Sequence, residues 1–300
     1  MDILKRIEDL KKQRKAVILA HNYMIAEVQE AADYVGDSLG LSITASKVDA
    51  DVIVFCGVDF MAESAKILSP KKTVIHPDSG AKCPMAAMCT PEALLEMKKK
   101  YPDAKVVGYV NSSAECKAEM DFCCTSANAV KLVKSLDSKR VIFVPDCNLG
   151  HYVQRFVPDK EIVLWPGFCP THQGITPEQV QVLKSKHPSA VFMAHPECRP
   201  EIIDIADFVG STNGMINFVS ETDADEIIVG TELDMVYPLS KKAPNKKFYW
   251  LPTAVCPTMK MITLESIVRS LELMEHKVEL SEETIERARL PLERMTQIGR

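Results

Sequence analysis

Three Cys-Pro dipeptides are the clearest chemical feature of this sequence. They are Cys83-Pro84, Cys169-Pro170 and Cys256-Pro257, and their cysteines are 86 and 87 residues apart. Each follows an apolar, strand-like run, and in parallel α/β units the loops after the strands carry the chemistry. If the three segments surround a pseudo-threefold axis, these loops face one another and the three thiols converge. Converging thiolates in a reducing compartment indicate a soft metal site.

The number of these thiols favours an iron–sulfur cluster over zinc. A structural zinc site normally takes four protein ligands, whereas a [4Fe–4S] cluster on three cysteines leaves one iron free to bind substrate oxygen as a Lewis acid. A single Cys-Pro is more often a buried structural cysteine beside a turn proline, but three in register are hard to explain in that way. The sequence has no C-x-x-C motif. The weaker candidates, which lack the proline and the regular spacing, are Cys56, Cys89, Cys116, Cys123, Cys124, Cys147 and Cys198.

Polar side chains at the ends of three strand-like runs could act as general acids and bases around the same cavity. Measured from His21, Asn111 and His195, these strand ends are 90 and 84 residues apart. A lone strand-end histidine is more often a hydrogen-bonded structural residue than a catalyst, but two at matching positions favour function. His172, three residues after Cys169, could reach the cavity as well. The strand-end candidates are His21, Tyr23, Tyr109, Asn111, His195 and Glu197.

Hydroxyl-bearing segments follow the strand ends at a similar spacing. Ser38, Ser126 and Thr212 are 88 and 86 residues apart, and Thr125 and Ser211 lie beside two of them. Such residues are first of all helix N-caps, which requires no function. The amides and the dipole at a helix start also attract anions. Three of these sites around one cavity would suit a substrate with several carboxylates or a phosphate.

These residues need a scaffold that repeats three times. Strand-like runs alternate with amphipathic helical segments, which is typical of βα units and parallel sheets. We predict an α/β fold of three pseudo-symmetric three-layer α/β/α domains, each with a small parallel sheet of about four strands, around a central cavity. The predicted domains are 1–88, 89–174 and 175–258, and two helices in 259–300 are expected to pack on the first. The predicted strands are 16–20, 51–55, 72–75, 105–110, 140–144, 161–165, 190–194, 226–230 and 247–250.

Composition narrows the range of functions. The 300 residues have a net charge of -5 and no concentrated basic segment, which argues against nucleic-acid binding. The N-terminus is amphipathic and lacks the apolar region of a signal peptide, and no stretch approaches the roughly 18 apolar residues of a membrane span. We therefore expect a cytoplasmic protein without membrane association. Cysteines in that compartment are metal ligands, catalytic groups or buried thiols rather than disulfides.

Taken together, the motifs resemble those of the quinolinate synthase family. The resemblance covers nearly the whole chain. The matching segments are AHNYM (20–24), GDSLGLS (36–42), CGVDFMAESAKIL (56–68), GAKCPMA (80–86), YVNSSAE (109–115), PDCNLG (145–150), GFCPTH (167–172), AHPEC (194–198), GSTNGM (210–215), GTE (230–232) and CPTMK (256–260).

The resemblance implies an activity and a set of site residues. Members of the family condense iminoaspartate with dihydroxyacetone phosphate to quinolinate for NAD synthesis, releasing phosphate and two waters, and depend functionally on an enzyme that produces iminoaspartate. They hold a [4Fe–4S] cluster on three cysteines, which correspond here to Cys83, Cys169 and Cys256. Acid–base roles are implied for Tyr23, Glu197, His21 and His195. Substrate-binding roles are implied for His21, Ser38, Tyr109, Asn111, Ser126, His195, Glu197, Ser211 and Thr212.

Three other interpretations stay open at the level of the sequence. A different iron–sulfur hydro-lyase acting on a small hydroxy acid would use the same cluster chemistry. A ligand-binding or iron-sensing protein would bind without turnover. A structural zinc protein would contain zinc and lack the visible absorbance of an iron–sulfur cluster.

Overall fold

The computed structural model describes residues 2–299 and contains three groups of strands and helices followed by two further helices. The first group is α1 (Ile3–Arg14), β1 (Ala16–His21), α2 (Ala26–Ala31), β2 (Tyr34–Gly36), α3 (Ser38–Lys47), β3 (Val52–Cys56), α4 (Asp59–Leu68) and β4 (Thr73–Ile75). The second is α5 (Pro91–Lys100), β5 (Lys105–Tyr109), α6 (Ala114–Lys117), β6 (Phe122–Cys124), α7 (Ala129–Ser135), β7 (Arg140–Val144), α8 (Cys147–Gln154), β8 (Glu161–Leu164) and α9 (Pro170–Gln173). The third is α10 (Pro177–Lys186), β9 (Val191–Ala194), α11 (Pro200–Asp204), β10 (Phe208–Val209), α12 (Thr212–Glu221), β11 (Glu226–Gly230), α13 (Val236–Lys242) and β12 (Lys247–Trp250). The chain continues with α14 (Leu264–Leu273) and α15 (Glu282–Ile298).

Each group forms its own parallel sheet of four strands, which confirms the predicted fold class. The strand orders are β2-β1-β3-β4, β6-β5-β7-β8 and β10-β9-β11-β12. The same order in all three sheets means that the direction in which strands are added reverses after β2, β6 and β10. The topological switch point therefore lies between β1 and β3, between β5 and β7, and between β9 and β11. Open parallel sheets bind their ligands at such a reversal, beyond the carboxyl ends of the strands. The fold therefore repeats one potential ligand position three times.

The strand register identifies which residues are equivalent in the three sheets. Ala20 pairs with Cys56, Gly108 with Val144 and Ala194 with Gly230. The next residues along β1 and β5, and the residue just after β9, are therefore His21, Tyr109 and His195, which are 88 and 86 residues apart. The spacing in the sequence aligned Asn111 with His21 and His195 as equivalent positions. The register instead makes Asn111 equivalent to Tyr23 and Glu197, because each of these lies two residues after His21, Tyr109 or His195.

The sequence analysis missed one short strand in each sheet. These strands are β2, β6 and β10, which have only two or three residues and pair with a single neighbour at the edge of the sheet. A strand of this length is too short to show an alternating pattern of apolar and polar residues. The remaining nine strands lie within one or two residues of their predicted positions.

Helix caps explain several of the observed boundaries. Ser281 caps the last helix, and its side chain accepts a hydrogen bond from the Thr284 amide at 3.0 Å. Thr176 and Gln179 form a reciprocal capping box at the start of α10. Asp37 and Ser211 cap α3 and α12, so these helices begin at Ser38 and Thr212. The N-cap side chains thus place the hydroxyl residues of the first and third groups in the first helical turn.

The two final helices contact different parts of the molecule. Helix α14 packs on α1, where Arg6 Nη2 lies 2.6 Å from Glu272 Oε1. Helix α15 packs on α4 and also on the second sheet, where Asn128 Nδ2 donates to the Met295 carbonyl at 3.1 Å. The domain limits drawn from the sequence stay predictions. Within residues 2–299, no helix combines the length and the apolar character that crossing a membrane requires.

Candidate active site

One cavity collects all but one of the residues predicted to form a site. It is lined by side chains that follow strands of all three sheets. Ser211 is the exception, and its hydroxyl caps α12 by accepting a hydrogen bond from the Gly214 amide at 3.2 Å. The predicted residues that line the cavity are His21, Tyr23, Ser38, Cys83, Tyr109, Asn111, Ser126, Cys169, His195, Glu197, Thr212 and Cys256.

Among the cysteines of residues 2–299, only the three Cys-Pro cysteines line this cavity. All three are half-buried, and each lies on a loop after a different sheet. Burial raises the pKa of the Cys83 thiol to about 12 and also raises the pKa of Cys169. Buried thiols of this kind stay neutral until a nearby cation compensates the thiolate charge. The donor set therefore fits a positively charged metal group bound by three thiolates.

Two histidines present the same ring nitrogen to the cavity. His21 Nδ1 accepts the Tyr23 amide at 3.2 Å, and His195 Nδ1 accepts the Glu197 amide at 3.3 Å. Because Nδ1 is the acceptor, the proton of each neutral ring lies on Nε2. Burial lowers the pKa of His21 to about 4 and that of His195 to about 3. Both rings are therefore neutral hydrogen-bond donors near pH 7.

Glu197 lies at the centre of a buried network. Its Oε1 accepts a short hydrogen bond from the Tyr109 hydroxyl, and its Oε2 lies 3.1 Å from His172 Nδ1. Burial disfavours the charged carboxylate, but His172, His195 and the Tyr109 hydroxyl outweigh burial and hold the pKa of Glu197 below its usual range. Burial and the charge of Glu197 raise the pKa of Tyr109. The site thus pairs a carboxylate with a neutral phenol.

A second chain of hydrogen bonds joins Tyr23 to this network. The Tyr23 hydroxyl lies 2.6 Å from Thr231 Oγ1, which in turn lies 2.8 Å from His172 Nε2. His172 Nδ1 faces both Glu197 and Cys169 Sγ, the latter at 3.2 Å. A proton can therefore pass between His172 and the Tyr23 hydroxyl through Thr231. Burial and the charge of Glu197 raise the pKa of Tyr23, so the phenol is neutral before such a transfer.

The hydroxyl residues form a further part of the cavity wall. Ser38 and Thr212 begin helices α3 and α12, and Thr212 Oγ1 accepts a hydrogen bond from Asn22 Nδ2 at 3.0 Å. Ser126 Oγ lies 3.1 Å from His195 Nε2. The side-chain oxygen of Asn111 is buried and has no hydrogen-bond partner among residues 2–299. This wall offers hydroxyls, amides and imidazole N–H groups to an anionic ligand.

Sequence reasoning missed several residues of the cavity wall and of the network behind it. Thr231 joins Tyr23 to His172, and Glu232 lines the cavity one residue further on. Both follow β11, and their positions match Pro145 and Asp146 after β7 at the same spacing of 86 residues. That spacing could have identified them. Asp146 and Glu232 are both acidic, whereas Pro145 and Thr231 differ, so a search for similar residues would overlook Thr231.

A further set of donor atoms could hold a metal ion. Cys169, His172 and Glu197 each contribute one ligand atom, and these atoms lie within 4.8 Å of one another. Only Cys169 belongs to the cysteine triad. A metal could therefore bind either to the three cysteines or to Cys169, His172 and Glu197, and both sets include the Cys169 sulfur. Analysis of the purified protein for iron, sulfide and zinc distinguishes them.

A cavity that joins soft ligands to an acid–base network, at the strand ends of three like sheets, is typical of enzymes. The comparisons with known proteins define the family. The profile described as "Quinolinate synthetase A protein" matches residues 5–297, and the chain therefore belongs to that family of NAD-biosynthetic enzymes.

Curated relatives resemble the chain over almost its full length. Quinolinate synthase 1 of Methanosarcina acetivorans is 54% identical over 295 residues, which are 98% of this chain and 97% of the relative. The quinolinate synthase of Caldicellulosiruptor saccharolyticus is 50% identical over 298 residues, with 99% and 98% covered. That of Geobacter sp. is 52% identical over 295 residues, with 98% and 97% covered.

Proposed function

We propose that this chain condenses iminoaspartate with dihydroxyacetone phosphate to give quinolinate, phosphate and two waters in NAD biosynthesis. The observation that carries the proposal is the meeting of three thiols and a buried acid–base network in one cavity. Family membership supports the same activity. The reaction removes two hydroxyl groups as water and moves several protons, and the lining residues offer groups for both tasks.

We assign a [4Fe–4S] cluster to Cys83, Cys169 and Cys256. No other thiol in the described part of the chain lines the cavity, so one iron would lack a cysteine ligand. When bound, the cluster supplies a Lewis acid that polarises a substrate oxygen. Because burial raises the pKa of Cys83 and Cys169, their binding as thiolates would require the positive charge of the cluster irons.

Proton transfer is assigned to Glu197 and Tyr23. Glu197 is ionised and can take a proton from substrate carbon or nitrogen, while the Tyr109 hydroxyl holds its other oxygen in place. Tyr23 is neutral and can donate a proton to a departing hydroxide. Glu197 can then pass the proton that it has taken up to His172 Nδ1, at 3.1 Å, while His172 gives up a proton from Nε2 through Thr231 to Tyr23, over 2.8 and 2.6 Å. General acids and bases in such positions typically accelerate a step by ~10²–10⁴-fold.

Substrate binding is assigned to the neutral histidines and the hydroxyl wall. His21 directs its Nε2–H at substrate oxygen without adding a positive charge, and His195 Nε2–H orients the Ser126 hydroxyl, 3.1 Å away, for the same task. Ser38, Ser126 and Thr212 bind carboxylate or phosphate, and the starts of α3 and α12 favour negative charge there. Asn111 offers a buried oxygen without a protein partner to a donor group of the substrate. Ser211, outside the cavity, is assigned to the cap of α12.

The chemistry also defines the surroundings in which the protein works. A cluster with an open iron is sensitive to oxygen, so we propose a cytoplasmic, reducing location. Iminoaspartate hydrolyses readily in water, so a functional link to the enzyme that produces it is part of the proposal. No membrane or nucleic-acid partner is proposed.

The decisive experiment joins chemical analysis to an activity assay. Protein purified without oxygen is analysed for iron, sulfide and zinc, and quinolinate is measured after addition of both substrates. Cys83→Ser, Cys169→Ser and Cys256→Ser should each lose iron, sulfide and activity. Cys147→Ser is the matched control because this half-buried cysteine does not line the cavity.

Two results would favour the competing interpretations. One zinc per chain without visible absorbance would favour a mononuclear site at Cys169, His172 and Glu197. Bound iron and sulfide without quinolinate formation would favour another hydro-lyase or a sensor. Glu197→Gln separates the last two, because a hydro-lyase would lose turnover, whereas a sensor would lose only ligand affinity.

A further inference from the structure

Two of the three cysteine loops are held by a carboxylate from a neighbouring loop. The Cys83 amide donates to Asp59 Oδ1 at 3.0 Å, and the Cys256 amide donates to Glu232 Oε1 at 3.2 Å. Asp59 begins α4 after β3, and Glu232 follows β11. In both sheets an acidic residue after the third strand thus fixes the backbone of the loop that carries the thiol. A hydrogen bond from an amide to a carboxylate is about twice as strong as one between neutral groups.

The loop of Cys256 has a second partner. Lys260 Nζ lies 2.7 Å from Glu232 Oε1, the oxygen that accepts the Cys256 amide. The same ammonium group forms a short ion pair with Asp234 and donates to the Tyr23 carbonyl at 3.1 Å. The positions that correspond to Lys260 after the other two cysteines are Ala87 and Gln173, neither of which carries a charge.

We propose that Glu232 and Lys260 are positioning residues that hold the Cys256 loop against the segment carrying Tyr23. The proposal rests on the roles proposed above for Cys256 and Tyr23. Glu232 fixes the loop through the Cys256 amide, and Lys260 joins Glu232 to the Tyr23 backbone in the first sheet's group. One ammonium group therefore sets the position of a cluster-binding thiol relative to the phenol that donates protons.

The burial of the pair supports a positioning role. The Glu232 side chain is 1% exposed and that of Lys260 is 22% exposed, so water competes little for their contact. A surface ion pair would contribute little, whereas removal of the lysine here would leave a buried carboxylate without its cation. The loop that depends on that carboxylate would then lose its fixed position.

The test compares Lys260→Met with wild type and with Lys260→Arg, which restores the positive charge. The first measurement is the rate at which iodoacetamide alkylates Cys256 and Cys83 in the full-length, cluster-free protein under anaerobic conditions, followed by mass spectrometry. Cys83 is the internal control because its amide is held by Asp59, which does not interact with Lys260. Lys241→Met is the matched control because Lys241 belongs to the same part of the chain and is 61% exposed. Glu232→Gln serves as a second disrupting variant.

We expect Lys260→Met to raise the alkylation rate of Cys256 about tenfold, with Cys83 unchanged. It should also lower kcat more than it changes KM, because Tyr23 moves while the hydroxyl wall does not. Lys260→Arg should recover most of both losses. Equal acceleration at both cysteines, or no change at Cys256 in Lys260→Met and Glu232→Gln, would overturn the proposal. Wild-type protein without iron, sulfide or quinolinate synthesis would instead contradict the proposed function, and the alkylation ratio would still decide the positioning role.

Discussion

Replacing Thr231 with valine tests the connection between Tyr23 and His172. Thr231 is fully buried, and its hydroxyl joins the two rings, at 2.6 Å from Tyr23 and 2.8 Å from His172 Nε2. Valine has nearly the same shape as threonine but cannot form hydrogen bonds. The substitution therefore removes the relay with little change in packing.

The structure gives the size of two expected effects. Thr231→Val leaves a buried hydroxyl and a buried ring nitrogen without partners, and each costs about 1–3 kcal/mol. We expect the free energy of unfolding to fall by about 2–4 kcal/mol, since small shifts of Tyr23 recover part of the loss. If Tyr23 donates a proton during turnover, kcat should fall about 100-fold, the lower end of typical acid–base contributions. KM should change little because Thr231 does not line the cavity.

The assay measures quinolinate under anaerobic conditions, with iminoaspartate produced in the same tube. Urea unfolding gives the stability of the same preparations, and iron analysis shows that the cluster content is unchanged. Thr231→Ser is the matched control because it keeps the hydroxyl and loses only a methyl group. If Thr231→Val kept the kcat of wild type at equal iron content, the relay from Tyr23 to His172 would have no part in catalysis.

Three more predictions concern stability. In the unfolded state, His21 and His195 bind protons near pH 6.5. In the folded state, His21 stays neutral down to about pH 4 and His195 down to about pH 3. The free energy of unfolding should therefore fall as the pH drops, by about 1.5 kcal/mol per histidine between pH 6.5 and pH 5. Urea titrations that show no such loss, or the same loss in His21→Asn, would contradict these pKa shifts. Gly167 lies two residues before Cys169, and Gly167→Ala would place a Cβ 2.4 Å from the Pro145 carbonyl oxygen. This substitution should lower the free energy of unfolding by about 2 kcal/mol and reduce the iron content. Gly174→Ala, whose Cβ would lie 3.4 Å from its nearest atom, should do neither. Ser281→Ala removes the cap of α15 and should lower the melting temperature by an amount that corresponds to about 1 kcal/mol; an unchanged melting temperature would mean that the cap contributes nothing.

The sequence was sufficient to predict the three sheets because their central strands are buried and apolar. Strand β3 is buried throughout, and the corresponding runs in the other sheets have the same character. The Cys-Pro spacing then pointed to three loops that line one cavity. Three of the six edge strands, β2, β6 and β10, were missed because their two or three paired residues leave no periodic pattern.

The finer connections of the site could not be predicted from spacing alone. Thr231 and His172 follow different strands, and only the docking of two loops brings their side chains to 2.8 Å. The same holds for Lys260 and the Tyr23 carbonyl, which are 237 residues apart in the chain. The strand-end alignment differed by two residues in the second sheet, because Tyr109 and Asn111 are both polar and either could match a histidine. The register within the sheet resolves this ambiguity, but the register cannot be read from a single sequence.

Each sheet draws all four of its strands from one continuous part of the chain. Its hydrogen bonds can therefore form early in folding, before the distant parts of the chain have met. The cavity has no such local origin, since its walls exist only after all three parts have docked. An amide hydrogen-exchange experiment should accordingly find the cavity loops opening at lower free energy than the strands behind them. A metal group bound to all three loops would raise the opening free energy of these loops toward that of the strands. Loss of the metal group should therefore first weaken the contacts between the three parts, before any one part unfolds.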